Sequence, residues 1–428
     1  MKHYVIIGNG VAGIEAAITI RERYGPTEAK ITVISKETDY FFSRTALMYA
    51  FMNTLDRKDM EPYERDFYPQ QHIDLLRDEV TNLNADKRTI TLKDNKPITY
   101  DKLLLAVGAT PRQVPFKGIE HVKEGIVNFV SMQDLDECER LAWVHDEAVV
   151  VGGGLIGIEL AESLHYHKLK TTFLVRESSY WPAALNEDEG LMVAKHIQHE
   201  GVDLRLEEEI AEIFADENGK LTHVLTNKGN EIPCQILGLC IGVVANCTWL
   251  KEVTTPPKIE RSICVDRGFK TSLDHVYAAG DCLQMDIGQE RPLVETIWYS
   301  AKRHGRLAAQ SMMGDAVHYD PPLFYNSSKF FEVEYTTVGQ TVRLPEGSYS
   351  DYRKVPDADI TTRIIFNKDD HVIGFNMIGS RWNHRIFEQW ILERRGPDYI
   401  QEHLSEAQYD VEFGRLKLER LQRIEATS

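Results

Sequence analysis

The stretch Gly8-Asn9-Gly10-Val11-Ala12-Gly13 decides the fold. It follows a β-branched apolar run, Tyr4 to Ile7, and opens into the helical pattern Ile14-Glu15-Ala16-Ala17-Ile18. A strand, a glycine turn and a helix in that order form a dinucleotide-binding unit. The glycines let the backbone approach a pyrophosphate, and the helix N-terminus offers free N–H groups and positive partial charge. A second copy, Gly152-Gly153-Gly154-Leu155-Ile156-Gly157, stands in the same context, between Val149–Val151 and Ile158-Glu159-Leu160-Ala161-Glu162. One such motif alone also fits a tight strand-to-helix turn with no ligand. Two, each in context, point to two bound dinucleotides and to electrons passing between them.

Composition agrees with an enzyme of two or three domains: 428 residues with 43% hydrophobic content are enough to give each a core. A formal net charge of −17 disfavours nucleic acid and anionic membranes, and an acidic protein partner would need a local basic patch. Tyr4 to Ile7 is too short for a signal-peptide core and is consumed by the glycine loop. No run approaches transmembrane length, so a cytoplasmic protein is expected. Cys138, Cys234, Cys240, Cys247, Cys264 and Cys282 are scattered without an iron–sulfur spacing. His165-Tyr166-His167 has metal-ligand residue types, but on a helix its histidines point apart. No metal centre is expected.

Two further stretches read as buried strands that end in small residues: Leu103-Leu104-Leu105-Ala106-Val107-Gly108-Ala109-Thr110, and Thr271 through Val276-Tyr277-Ala278-Ala279-Gly280-Asp281. With these in place the chain resembles, over roughly its first three quarters, the two-dinucleotide flavoprotein reductases of the pyridine nucleotide-disulfide oxidoreductase superfamily. The resemblance implies an α/β fold: two Rossmann-like domains in the glutathione-reductase manner, plus a small C-terminal α+β domain. It implies FAD on the first loop, NAD(P)H on the second, and Asp281 at the flavin ribityl and pyrophosphate region. The expected domains are 1–116 with 246–323 for FAD, 117–245 for NAD(P)H, and 324–428 as a C-terminal interface domain. The implied FAD contacts are Gly8, Gly10, Val11, Ala12, Gly13, Ser35, Glu37, Arg44, Thr45, Val80, Ala106, Gly108, Gly280, Asp281 and Trp298, and Gly242 is a further implied cofactor contact. Those of the nicotinamide nucleotide are Gly152, Gly154, Leu155, Ile156, Gly157, Glu159, Arg176 and Glu177.

Several of these positions carry an individual reading. Glu37 is a better ribose acceptor than Ser35 because it is ionised. Arg44 would stabilise the pyrophosphate or the reduced ring, and Glu159, taken as a first-turn residue of the second helix, would contact Arg44 or the nicotinamide amide. A carboxylate favoured at a helix N-terminus is the plainer account of Glu159. Trp298 lies against the isoalloxazine or is an ordinary core aromatic. Arg176 suits a 2′-phosphate and Glu177 a ribose diol, so NADH and NADPH both stay open. Ile241-Gly242 resembles the family turn between domains, with Ala245 in place of the usual proline before Asn246.

The disulfide reductases of this superfamily carry a redox dithiol after the first βαβ unit, and the peroxidase, oxidase and coenzyme A disulfide reductase branch carries one cysteine there. This chain has Tyr40-Phe41-Phe42-Ser43-Arg44-Thr45-Ala46-Leu47. That segment is similar to rubredoxin reductases and the flavin module of assimilatory nitrite reductases, with Thr45 where that group usually has proline. The implied activity is FAD-dependent NAD(P)H:acceptor oxidoreduction toward rubredoxin, ferredoxin or a partner subunit, with self-association left open. The alternatives are a quinone or dioxygen reductase and an NAD(P)H-sensing interaction module. Cys282, next to Asp281, reads as a packed free thiol. In the C-terminal region, Lys329 to Val338, Arg363 to Phe366 and Val372 to Ile378 read as strands. Ile386 to Leu392 reads as a helix stopped by Gly396-Pro397, and Phe413, Leu416, Leu421 and Ile424 fall at helical spacing.

Overall fold

The computed structural model describes residues 1–409 and 416–424. The chain divides into two compact units. The first comprises 1–114, 128–140 and 242–320, and the second comprises 115–127, 141–241 and 321–428. The return of 128–140 to the first unit leaves no mark in the sequence.

In the first unit β1 (Lys2–Ile7) leads into α1 (Val11–Arg23) and then β2 (Ala29–Ser35). These strands join a five-stranded parallel sheet in the order Val276–Ala278, Lys102–Leu105, β1, β2, Ile73–Arg77. All strands of such a sheet are covered on both faces, which is why β1 and Lys102–Leu105 read as unbroken apolar runs. Tyr4, Val5, Ile6, Leu103, Leu104 and Leu105 are fully buried. A three-stranded antiparallel sheet (Val80–Asn84, Thr89–Leu92, Ile98–Thr99) and the helix Trp298–Met313 complete the parts of this unit that bear on the site.

The second unit repeats the plan. Here β3 (Glu147–Val151), α2 (Leu155–Tyr166) and β4 (Lys170–Val175) are followed by α3 (Glu187–His199). The parallel sheet runs Asp203–Leu206, β4, β3, Ile236–Leu239, Ile126–Val127, again beside a three-stranded antiparallel sheet. In open sheets of this kind ligands bind beyond the carboxyl ends of the strands, where the crossovers diverge, so each glycine loop occupies the expected place.

The C-terminal part of the second unit is a six-stranded antiparallel sheet ordered Tyr325–Phe330, Val333–Gly339, Val372–Ile378, Thr361–Phe366, Tyr349–Lys354, Gln422–Arg423. Its core gathers Phe375, Met377, Trp382, Phe387 and Trp390. Three expectations change here. Lys329 to Val338 is a hairpin of two strands, because Phe331 takes a positive φ of 51° and turns the chain. The helix His384–Leu392 ends before Gly396-Pro397, and Pro397 instead begins a new helix, Pro397–His403. Proline suits that first helical position, where its missing N–H would be unpaired anyway. Lastly, residues 416–424 form one 3₁₀ turn and the edge strand Gln422–Arg423 rather than a helix, while Phe413 lies outside the described residues.

Glu189 ties α3 to this sheet. Its carboxylate is fully buried and accepts from Arg363 Nε and Nη2 at 2.9 and 2.8 Å and from Asn376 Nδ2 at 2.9 Å, and it closes a capping box with Asn186. Breaking a buried pair strands a charge, which costs about 3–5 kcal/mol. Arg363→Met is therefore expected to lower the urea midpoint sharply, and adding Glu189→Gln should recover part of the loss. An unchanged midpoint for Arg363→Met would show that the pair carries no stability.

Candidate active site

Both glycine loops share one geometry. Gly8 has φ +112°, and a Cβ on Gly13 would collide with the Gly8 carbonyl oxygen, so only glycine lets α1 begin this close to the end of β1. Gly152 and Gly157 repeat both features. Neither helix has a side-chain cap: the N-cap residues are Gly10 and Gly154, and a Cβ on either would meet nothing within 4 Å. Each loop thus presents open space beside uncapped N–H groups, the cradle a pyrophosphate fits. Val11, Ala12, Leu155 and Ile156 supply the first-turn N–H groups of these helices.

In the first unit the other expected residues converge on this loop's side of the sheet. Ser35 ends β2, and its Oγ accepts from the Glu37 N–H at 3.2 Å. Glu37 pairs through both oxygens with Arg44 Nη1 and Nη2 at 2.9 and 2.7 Å, and it also accepts from Met132 N at 3.0 Å. Arg44 donates further to the Val130 carbonyl and lies over the Phe42 ring. The segment 128–140 therefore packs its backbone onto the ribose-acceptor candidate, a contact that sequence reading missed. Asp281 is half-buried; burial pushes its carboxyl up to about 6, against the opposing charges of Arg44 and His304. Arg44 accordingly stands within electrostatic reach of both acidic candidates.

Ala106 donates to Ile7 O, and Gly108 O accepts from Asn246 N at 2.9 Å. Val243–Ala245 pairs with Ala109–Pro111, so Gly242 and Gly108 belong to one backbone cluster. Thr45 hydroxyl-bonds Ser43, and Val80 is buried in the three-stranded sheet. Trp298 begins its helix and stacks on Phe41 with centroids 5.9 Å apart. Cys282 is fully buried beneath this cluster. Its Sγ donates to Leu105 O and Ala279 O, and burial pushes the thiol up to about 12. A thiol held neutral in this way is a packing group rather than a nucleophile.

In the second unit Glu159 lies in the second turn of α2, which corrects the first-turn placement and removes the macrodipole account of it. Burial, then the neighbouring Glu162, pushes its carboxyl up to about 7. Glu162 itself is held by Lys329 Nζ at 3.5 Å and Phe331 N at 3.1 Å. Arg176 and Glu177, at the end of β4, pair with each other at 2.9 Å. Among the described residues no group of histidine, cysteine, aspartate and glutamate could hold a metal ion.

A family model, pyridine nucleotide-disulphide oxidoreductase, matches residues 2–305. The chain belongs to that family. This oxidoreductase is 26% identical over 305 residues to the nitrite reductase [NAD(P)H] of Bacillus subtilis (strain 168), a match spanning 70% of the chain and 37% of that much longer relative. It is 27% identical over 335 residues to the rubredoxin-NAD(+) reductase of Ectopseudomonas oleovorans, covering 76% of the chain and 84% of the relative. The fold matches putidaredoxin reductase in its covalent complex with putidaredoxin, with a TM-score of 0.81, 22% identity, and coverage of 95% of this chain and 99% of that one. The chain is an FAD-dependent NAD(P)H oxidoreductase, with FAD and NAD(P)H as its cofactors. No helix among the described residues is long and apolar enough to cross a membrane.

Glu159 yields a pH-dependent prediction. Its carboxyl titrates near 7 when folded against an ordinary 4.5, so ionising it opposes folding. That cost is absent below pH 4.5, grows up to pH 7 and is complete above it, at about 3 kcal/mol. Glu159→Gln should raise the melting temperature at pH 8 and leave it unchanged at pH 4.5. Equal melting temperatures at pH 8 would contradict the burial of this carboxylate.

Proposed function

We propose that this oxidoreductase carries electrons from NAD(P)H through FAD to a small one-electron carrier protein in the cytoplasm, such as a rubredoxin or ferredoxin, or to a partner redox subunit. The observation that carries the reading is the sulfur inventory. No cysteine occurs in 40–47, and Cys282, beside the site, is a buried neutral thiol. With no thiol to relay electrons, they leave from the flavin itself. The resemblance of segment 40–47 to rubredoxin reductases supports the same direction.

Bound FAD supplies the chemistry, accepting a hydride and releasing electrons one at a time. The chain's own work is to bind and orient. In this reading the α1 N-terminus holds the FAD pyrophosphate, Glu37 accepts from the adenosine ribose, and Asp281 accepts from the ribityl chain. Arg44 must then release part of its hold on Glu37 or share it. Beside Asp281 and Glu37 its guanidinium would add positive potential for the phosphates. The α2 N-terminus holds the nicotinamide nucleotide. Glu159, part neutral near pH 7, can donate or accept a hydrogen bond at the carboxamide. Binding and orienting the two nucleotides would be the chain's catalytic contribution, and no acid–base triad is required.

Two measurements test this. In steady state, NAD(P)H-dependent reduction of a rubredoxin or ferredoxin should survive alkylation of accessible thiols, whereas loss of activity on modifying Cys282 would return the protein to sulfur chemistry. For the nucleotide, the Arg176–Glu177 pair must open before either residue reads the ribose. Arg176→Ala should weaken NADPH selectively, by about tenfold or more if a charge-assisted bond is lost. Glu177→Ala should weaken NADH selectively. Unaltered use of both nucleotides by both variants would show that neither residue reads the ribose.

A further inference from the structure

The helix Trp298–Met313 carries the opposite charge to the rest of the chain. In a protein of 66 acidic and 49 basic residues it holds Lys302, Arg303 and Arg306 and no carboxylate. Tyr299, Lys302, Arg303 and Arg306 recur at i, i+3, i+4 and i+7, so they form one stripe, and all four are exposed. Ala301, His304, Gly305 and Ala308 turn the other side into the core. Helix stability does not account for the cations. Pairing with the macrodipole would put anions in the first turn and cations in the last, and this helix has neither.

The helix packs along α1, which supplies one buried acid, Glu15, accepting from Lys302 Nζ at 2.9 Å and Arg306 Nη2 at 3.0 Å. One carboxylate facing two cations leaves positive charge over, and Arg303 has no acidic partner among the described residues. The two paired side chains stay 46% and 56% exposed, so a carboxylate from outside can reach them. At the start of the same helix an aromatic patch adjoins the stripe. Trp298 stacks on Phe41 with centroids 5.9 Å apart, Phe41 lies 6.3 Å from Tyr63, and Tyr63 stacks on Phe67 at 4.6 Å. Tyr63 and Phe67 are only half-buried. The exposed acids on the neighbouring segments are Glu22 on α1 and Glu64, which lies 4.0 Å from Lys58.

We propose that this surface receives the electron acceptor, and that the acceptor is a small protein presenting a cluster of carboxylates. The proposal rests on the reading that electrons leave to a carrier protein and that Trp298, one helix turn from Lys302, lies at FAD. Charge decides the class of partner. Fields are screened beyond about 8 Å at physiological ionic strength, so a compact partner at contact senses the stripe rather than the net −17. A nucleic acid or an anionic bilayer would extend over the surrounding acidic surface as well. Opposed charges steer the encounter and fix its orientation, raising association rates about 10- to 1,000-fold at low salt. Tyrosine and arginine are the side chains that anchor interface centres once water is excluded. NAD(P)H gives up two electrons as it becomes NAD(P)⁺ and releases a proton, and a one-electron carrier takes one of them. Two carriers must therefore dock in turn for each nucleotide, which a small, charge-steered contact suits better than a large apolar one.

The test is steady-state reduction of an acidic rubredoxin and an acidic [2Fe–2S] ferredoxin, with menadione, a small neutral acceptor, reporting whether flavin reduction is intact. Arg303→Glu should lower kcat/KM for the carriers about tenfold or more at about 50 mM salt, with most of the difference gone at about 500 mM, and should reduce menadione at the wild-type rate. Arg303→Lys should keep the wild-type rate with the carriers. Lys195→Glu makes the same change of net charge at an exposed position of α3 and should leave carrier reduction unaltered. An equal loss in Lys195→Glu, or carrier reduction indifferent to Arg303→Glu, would overturn the docking site. So would Arg303-dependent retention on phosphatidylserine vesicles with carrier reduction unchanged, which would make the stripe a membrane face. If Arg303→Glu loses menadione reduction too, the wild-type enzyme decides with a rubredoxin whose surface carboxylates have been amidated. Slower reduction than of the native rubredoxin supports the proposal, and an equal rate overturns it. A wild-type enzyme that reduces menadione but neither carrier would instead remove the reading of a carrier-protein acceptor, and the docking site with it.

Discussion

The constraint on which this structure depends is the contact between the first glycine of each loop and the last. Because Gly13 presses onto the Gly8 carbonyl, α1 starts within three residues of β1, and its N-cap residue, Gly10, has no side chain to cap it. The same contact between Gly157 and Gly152 sets α2 on β3. An uncapped helix end is a cost in isolation, since its N–H groups lack partners. It becomes an asset when an anionic ligand supplies them, so a structural weakness and a binding site are one feature.

Around that constraint each unit lays out the same parts: a five-stranded parallel sheet, a crossing helix and a three-stranded antiparallel sheet. Their local chemistry differs. In the first unit charged groups are plentiful and mutually engaged, with Glu37, Arg44, Asp281 and the His304–Glu295 pair in one neighbourhood. In the second, no cation among the described residues offsets the burial of Glu159, and Arg176 and Glu177 satisfy each other. The first arrangement suits a ligand held throughout turnover. The second suits one that exchanges, because little is pre-committed to it.

What could be read in the sequence was whatever a short local pattern encodes. Gly8, Gly13, Gly152 and Gly157 announce their backbone requirement by residue type alone, and the apolar runs at β1, Lys102–Leu105 and β3 announce a buried parallel sheet. The hairpin at Phe331 was hidden because a bulky aromatic at positive φ carries no turn signature. The spacing of Leu416, Leu421 and Ile424 suited a helix, yet Leu416 and Leu421 serve the C-terminal core while Gln422–Arg423 pairs with Tyr349–Lys354. Periodicity records which side chains are apolar, not which backbone partner is at hand. In the candidate site, Asp281 and Glu37 were reachable through motifs. The buried bonds of Glu295 with His304 and Tyr319 were not, since these residues meet only when a loop, a helix and the segment after it fold together. Likewise, nothing local reveals that Met132 N would bond Glu37 across 95 positions of sequence.

The central claim is that FAD is the only redox centre between NAD(P)H and the acceptor, with no cysteine taking part. An anaerobic titration of the purified holoprotein with NADH or NADPH, followed by flavin absorbance, tests it most directly. Complete bleaching after two electrons per FAD, with no long-wavelength thiolate-to-flavin band, is the predicted result; a four-electron endpoint with such a band would contradict the account.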